Sequence, residues 1–182
     1  MAAVQDSPTA DRWWGHHLQE VRWQAELARL LVDPVYRGEG VPRGDGGPVL
    51  LIPGFLAGDN SLSVMAGWLR RIGHRPKASG IRFNVDCSNR ALPALERRLE
   101  QAADESGRTV AVLGHSRGGH FAKALARRRP DLVHSVISLG AGLDTPFAIS
   151  LPTAGAVAAV RAVHARRQPP GCFTDGCGCA ES

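Results

Sequence analysis

The stretch Thr109–Arg129, TVAVLGHSRGGHFAKALARRR, constrains this chain more than any other. Thr109 to Leu113 is an apolar run rich in β-branched residues. Such a run, set between charge and turn signals, reads as a strand buried on both faces. Gly114-His115-Ser116-Arg117-Gly118 follows, and then Gly119. Beyond it Phe121, Ala122, Leu125 and Ala126 recur at helix spacing, and Arg127, Arg128 and Arg129 fill the last turn. Cations suit that end of a helix dipole, and Pro130 stops the helix. The predicted unit is a strand, an abrupt turn with serine at its apex, and a helix. The glycines have a steric reason. A serine in so tight a turn is held in a strained conformation, and a Cβ two residues to either side would strike the strand or the helix.

A unit of this kind is a nucleophile elbow. It lifts the Ser116 hydroxyl clear of the sheet and puts the Arg117 N–H at a helix start, where an oxyanion can be bound. On Gly114-His115-Ser116-Arg117-Gly118 the chain resembles the α/β-hydrolase superfamily, and more narrowly its lipase- and esterase-like members. A second segment, Pro48–Gly58 (PVLLIPGFLAG), strengthens the resemblance. Its first five residues read as another buried strand. Pro53-Gly54-Phe55 is similar to the loop that supplies the other oxyanion N–H, which by position is that of Phe55. The resemblance extends from about Pro48 to Pro146 and implies a carboxylic ester substrate, a Ser116 nucleophile and no cofactor. It also implies that His115 is buried beneath the elbow.

Between and after these segments the chain alternates. A helix capped by Asn60 or Ser61 runs to about Ile72, with Leu62, Met65, Leu69 and Ile72 on one face. Arg75–Ile81 is a strand near a sheet edge, given Pro76 and Gly80. Arg82–Asn89 is a loop carrying the thiol of Cys87. Ala91–Ser106 is a helix with Pro93 in its first turn and Leu92, Leu95, Leu99, Ala102 and Ala103 on one face. Val133–Leu139 is a fourth strand. Strand–helix alternation predicts an α/β fold, a mostly parallel sheet with helices on both faces and ligands bound at the carboxyl ends of the strands. Against the full α/β-hydrolase fold, the last strands are lacking. The reading is of a domain shortened at its C-terminus, with a bare apolar strand edge prone to self-association.

A serine nucleophile needs a base and an acid to orient that base. In the resembling superfamily the order is Ser, then Asp or Glu, then His. Downstream of Ser116 the acids are Asp131, Asp144, Asp175 and Glu181, and the histidines are His120, His134 and His164. His120 lies on the helix leading away, and His134 opens a strand at its amino end. The resemblance favours Asp144 as acid, because some lipases take theirs from the end of this strand. His164 would then be the base, although Arg161, Arg166 and Arg167 around it favour its protonated form; the more economical reading is that the strands and loops carrying the usual acid and histidine are absent. Two functions stay open: an ester hydrolase, and a shortened, non-catalytic homologue acting as a binding module or remnant.

The remaining residues set the domain plan. Residues 1–32 hold a leader and an amphipathic helix from Asp11, with Trp14, Leu18, Val21, Ala25 and Ala28 on its apolar face. That face either packs on the domain or meets a partner or membrane surface. Residues 33–47 are a Gly- and Pro-rich linker, and residues 48–182 are the hydrolase-like domain. Within it, 143–166 reads either as a lid over an acyl chain or as a connecting helix from Ala154 to Arg166. Residues 168–182 form a Gly/Cys-rich tail. Its Cys172, Cys177 and Cys179 lack the paired spacing of a metal site, and a cytoplasmic location argues against a stable disulfide between Cys172 and Cys177 or Cys179. The net charge is +5, but the 22 basic residues are spread among acids, and all except Lys77 and Lys123 are arginine. No basic stripe interleaved with exposed aromatics is present, which argues against nucleic acid as a partner. No secretory signal or membrane-spanning run is read, so the expected location is the cytoplasm.

Overall fold

The computed structural model describes residues 22, 24–141 and 151–165. The chain divides between Pro42 and Arg43 into two units. In the first, residues 24–32 are helical. Asp33 Oδ1 accepts the Val35 N–H at 2.8 Å and so caps one further turn, Pro34–Arg37, which Gly38 closes at φ 86°. Proline at the start of that turn costs no hydrogen bond, since its N–H would be unpaired there in any case. Ala25 and Ala28, expected on an apolar face, are exposed. Trp14, Leu18 and Val21 lie outside the described residues.

The second unit carries the sheet. Its elements are β1 (Pro48–Ile52), a 3-10 turn (Asp59–Leu62), α1 (Ser63–Arg71), β2 (Arg75–Ala78) and α2 (Ser88–Ser106). They continue with β3 (Val110–His115), α3 (Arg117–Arg128), β4 (Val133–Leu139) and α4 (Leu151–Ala165). Every strand pair is parallel, in the order β2-β1-β3-β4. The chain moves outward from β1 to β2, then returns past β1 to β3 and on to β4. With right-handed crossovers, that reversal puts α1 on one face and α2 and α3 on the other. The reversal falls between β1 and β3, and open α/β sheets bind ligands at the carboxyl ends of the strands that flank such a reversal.

Burial follows the same plan. Leu50, Ile52, Val110 and Val112 turn to one face and join Leu92, Leu95 and Leu99 of α2 with Phe121 and Leu125 of α3 in one cluster. Fully burying a side chain of this size stabilises the fold by about 1.5–3 kcal/mol. Val49, Leu51, Ala111 and Leu113, at the alternate positions, are also buried, as expected of central parallel strands. β2 and β4 are the edge strands among the described residues. β2 carries Pro76, a residue that edges tolerate. β4 leaves Val136 38% and Ile137 44% exposed.

Three local expectations are corrected. Neither Asn60 nor Ser61 caps α1; both lie inside the 3-10 turn, where Ser61 Oγ donates to Gly58 O at 2.8 Å. α1 starts at Ser63 with no side-chain cap. β2 ends at Ala78 rather than Ile81, because the Asp59 carboxylate takes the Ser79 Oγ–H at 2.6 Å and the Gly80 N–H at 2.8 Å and pulls the chain into a turn. α2 starts at Ser88, since the Cys87 carbonyl already accepts the Arg90 and Ala91 N–H groups, each at 2.9 Å. Pro93 therefore falls in the second turn of α2 rather than its first. Cys87 itself is buried and free of any disulfide. Among the described residues no helix is long and apolar enough to cross a membrane.

Candidate active site

β3 runs through His115, two residues beyond the predicted strand end, and the chain reverses at Ser116 with φ 50° and ψ −122°. The Ser116 N–H donates to Leu139 O of β4 at 2.7 Å, and Ser116 O accepts the Gly119 N–H at 2.8 Å. The turn is therefore tied to the neighbouring strand on one side and to the first turn of α3 on the other. A Cβ on Gly114 would overlap the Gly118 carbonyl. A Cβ on Gly118 would overlap Ile52 O and stand 2.8 Å from Pro53 O. The first glycine thus lets the helix fold back on its strand. The second lets the helix sit against the end of β1.

The Pro53–Ala57 loop leaves β1 and lies directly against the serine. A Cβ on Gly54 would come within 3.3 Å of Ser116 Cβ and 3.0 Å of His115 Nδ1. The loop turns tightly, with the Ala57 N–H donating to Gly54 O at 3.1 Å. Phe55 and Leu56 are the central residues of that turn. Among the described residues the Phe55 N–H donates to nothing. Leu56 takes φ 61°. Leu56 and Ser116 are the two non-glycine residues with positive φ among those described. Each such residue costs roughly 1–2 kcal/mol of backbone strain. One immediately follows Phe55 and the other immediately precedes Arg117.

Asn84 joins the two segments. It lies in the loop after β2, is only 2% exposed, and donates from Nδ2 to Pro53 O at 2.8 Å. Its Oδ1 accepts from Arg117 Nη1 at 2.9 Å. The Arg117 guanidinium also donates to the Asp86 carbonyl and stands 4.8 Å from the Phe121 ring centroid, a cation–π distance. Its charge is thus fixed beside the elbow. In the sequence Asn84 is an ordinary residue of the Arg82–Asn89 loop. The one signal that could have found it is topological: a polar residue in the loop that leaves the carboxyl end of β2, the end at which the serine emerges.

His115 corrects an expectation. It is exposed rather than buried under the elbow, because β3 continues through it and its imidazole lies beside Gly54. His120 is 7% exposed within α3, and His134 is exposed at the start of β4. Among the described residues the Ser116 hydroxyl has no hydrogen-bond partner. Asp144 lies outside them. His164 falls within α4, but its side chain lies outside the description, as do Cys172, Cys177 and Cys179. Among the described residues no group of three or more His, Cys, Asp or Glu side chains could hold a metal ion.

Residues 82–164 match the model of the Esterase family ("Putative esterase"). No curated protein matches the chain. Solved structures similar to it include a monoacylglycerol lipase from Paleococcus ferrophilus, 21% identical with a TM-score of 0.49 over 70% of this chain and 50% of that one. A marine microorganism esterase is 17% identical, with a TM-score of 0.45 over 71% of this chain and 50% of its own. The Bacillus licheniformis lipase BlEst2 in mature form is also 17% identical, with a TM-score of 0.43 over 56% and 43% of the two chains. The chain thus spans about 50% or less of the length of these solved structures. The stretch that carries the elbow is thus similar to an esterase family model, and it lies on a four-stranded parallel sheet.

Proposed function

We propose that this chain hydrolyses carboxylic esters with Ser116 as nucleophile. Ser116 Oγ attacks the acyl carbon, and the Phe55 and Arg117 N–H groups receive the negative charge that develops on the carbonyl oxygen. The alcohol leaves, and water resolves the acyl-enzyme. In this reading His164 takes the serine proton and Asp144 orients the imidazole. The observation that carries it is the pair of strained residues, Leu56 and Ser116, one beside each proposed oxyanion donor. Strain of this kind persists where the surrounding structure over-determines it, and it clusters at functional sites. α4 has an apolar sequence and no buried side chain among those described, which suits a lid over an acyl chain.

The test is labelling by a fluorophosphonate probe, with hydrolysis of a short-chain nitrophenyl ester measured in parallel. Labelling that is lost in Ser116→Ala supports the reading, and His164→Ala and Asp144→Asn then test the base and acid. Folded protein that takes up no probe would refute this reading and favour a non-catalytic homologue that binds rather than turns over.

A further inference from the structure

Asn84 has no role in the chemistry proposed above, yet every polar group it owns is engaged at the site. Its Nδ2 donates to Pro53 O at 2.8 Å and its own N–H donates to Ala57 O at 2.9 Å. Its carbonyl accepts the Leu56 N–H at 3.1 Å, and its Oδ1 accepts Arg117 Nη1 at 2.9 Å. The loop is therefore gripped immediately before Phe55, at Pro53, and immediately after it, at Leu56 and Ala57. The fourth bond runs to the residue whose N–H is the other oxyanion donor. We infer that Asn84 is a positioning residue that sets the spacing of the Phe55 and Arg117 N–H groups. This assignment rests on the hydrolase reading above.

The physical argument has two parts. Leu56 is held at φ 61°, a conformation that leucine leaves unless something holds it there. The hydrogen bond from its N–H to the Asn84 carbonyl supplies that hold, and the buried side chain prevents Asn84 from shifting. The Arg117 guanidinium packs over Phe121 of its own helix and is bound to Asn84 Oδ1 and the Asp86 carbonyl, so it ties the start of α3 to the loop that holds Asn84. An oxyanion hole works only if its donors already sit where the charge will develop. Here one asparagine spans both halves of that geometry.

Asn84→Asp tests this in the full chain. The aspartate keeps an oxygen for Arg117 but opposes Pro53 O with an acceptor in place of a donor. Removing an oxyanion donor outright lowers kcat by roughly 10²–10³-fold, so displacing one should lower it about 10–100-fold with KM nearly unchanged. Affinity for a trifluoromethyl ketone, which forms a tetrahedral adduct on the serine, should fall by the same factor as kcat/KM. A merely structural role would not link those two quantities. Arg117→Lys keeps the backbone N–H and loses the forked contact; it should show the same pattern, and its effect should not add to that of Asn84→Asp. If Asn84→Asp does not fold, Arg117→Lys carries the test alone. Wild-type protein labelled at Ser116 alongside a folded variant with full kcat, or with a loss confined to KM, would overturn the assignment of Asn84. Folded wild-type protein that takes no label would overturn the hydrolase reading and this inference with it.

Discussion

Replacing Gly118 with alanine separates the geometry of the elbow from ordinary helix propensity. Gly118 is the second residue of α3. In a typical helix glycine-to-alanine stabilises by about 1 kcal/mol. At Gly118 the added methyl would overlap Ile52 O and lie 2.8 Å from both Ile52 C and Pro53 O. These are backbone atoms at the end of β1, a strand paired on both sides, so they cannot rotate away. Overpacking against an unyielding neighbour costs about 1–3 kcal/mol beyond any propensity gain. In a chain of this size 1 kcal/mol moves Tm by roughly 2–4 °C. Gly118→Ala should therefore melt several degrees below wild type by circular dichroism, and it should label more slowly with a fluorophosphonate because the Pro53–Ala57 loop is pushed from the serine. Gly155→Ala is the control, since nothing stands within 4 Å of its added methyl in α4. It should leave Tm unchanged or raise it. Gly118→Ala with a Tm at or above wild type would refute the close approach of α3 to β1.

Further outcomes follow from the same structure. Phe121 and Leu99 are fully buried in one cluster, so Phe121→Ala should cost about 3–5 kcal/mol and Leu99→Ala about 2–5 kcal/mol in urea unfolding. The Arg108 guanidinium beside Asp45, the Lys77 ammonium beside Glu105 and the Arg129 guanidinium beside Asp131 hold these carboxyls below their usual range. Their contribution is complete above about pH 4–5, the unfolded range, and is lost as pH falls through the lower folded values. Tm should therefore drop on acidification below that range, and added salt should blunt the drop, as the pairs are exposed. The exposed Val136 and Ile137 of β4 predict concentration-dependent self-association in sedimentation, which Ile137→Lys should abolish.

The parts of this fold that were legible in the sequence are those where one local rule suffices. β1 and β4 have the predicted bounds because a short apolar run between Pro, Gly and charge can be little else in a chain of alternating helices. The inward face of α2 was readable from the spacing of Leu92, Leu95 and Leu99. The glycines of the elbow were readable because their reason is steric and local. Asn84 was not, because its partners Pro53 and Arg117 lie 31 and 33 residues away. Nothing in its own neighbourhood is periodic or charged in a telling way. His115 misled for a related reason: its exposure depends on where the Pro53–Ala57 loop passes, a tertiary fact. The start of α1 was missed because Ser61, a good cap by type, spends its hydroxyl on the Gly58 carbonyl.

The reversal of direction between β1 and β3 has a consequence in time as well as in space. Phe55 and Arg117 are about sixty residues apart, and closing a loop of that length carries an entropic cost before any native contact repays it. The loops that carry them meet only when β1 has paired with β3, a step that local helix formation in α2 and α3 can precede but cannot replace. A growing chain would expose its Pro-Gly-Phe loop to solvent long before the serine meant to face it had been synthesised. Probe uptake at Ser116 should accordingly trail the recovery of helical signal during refolding, and the elbow would then serve as a clock for the last stage of assembly.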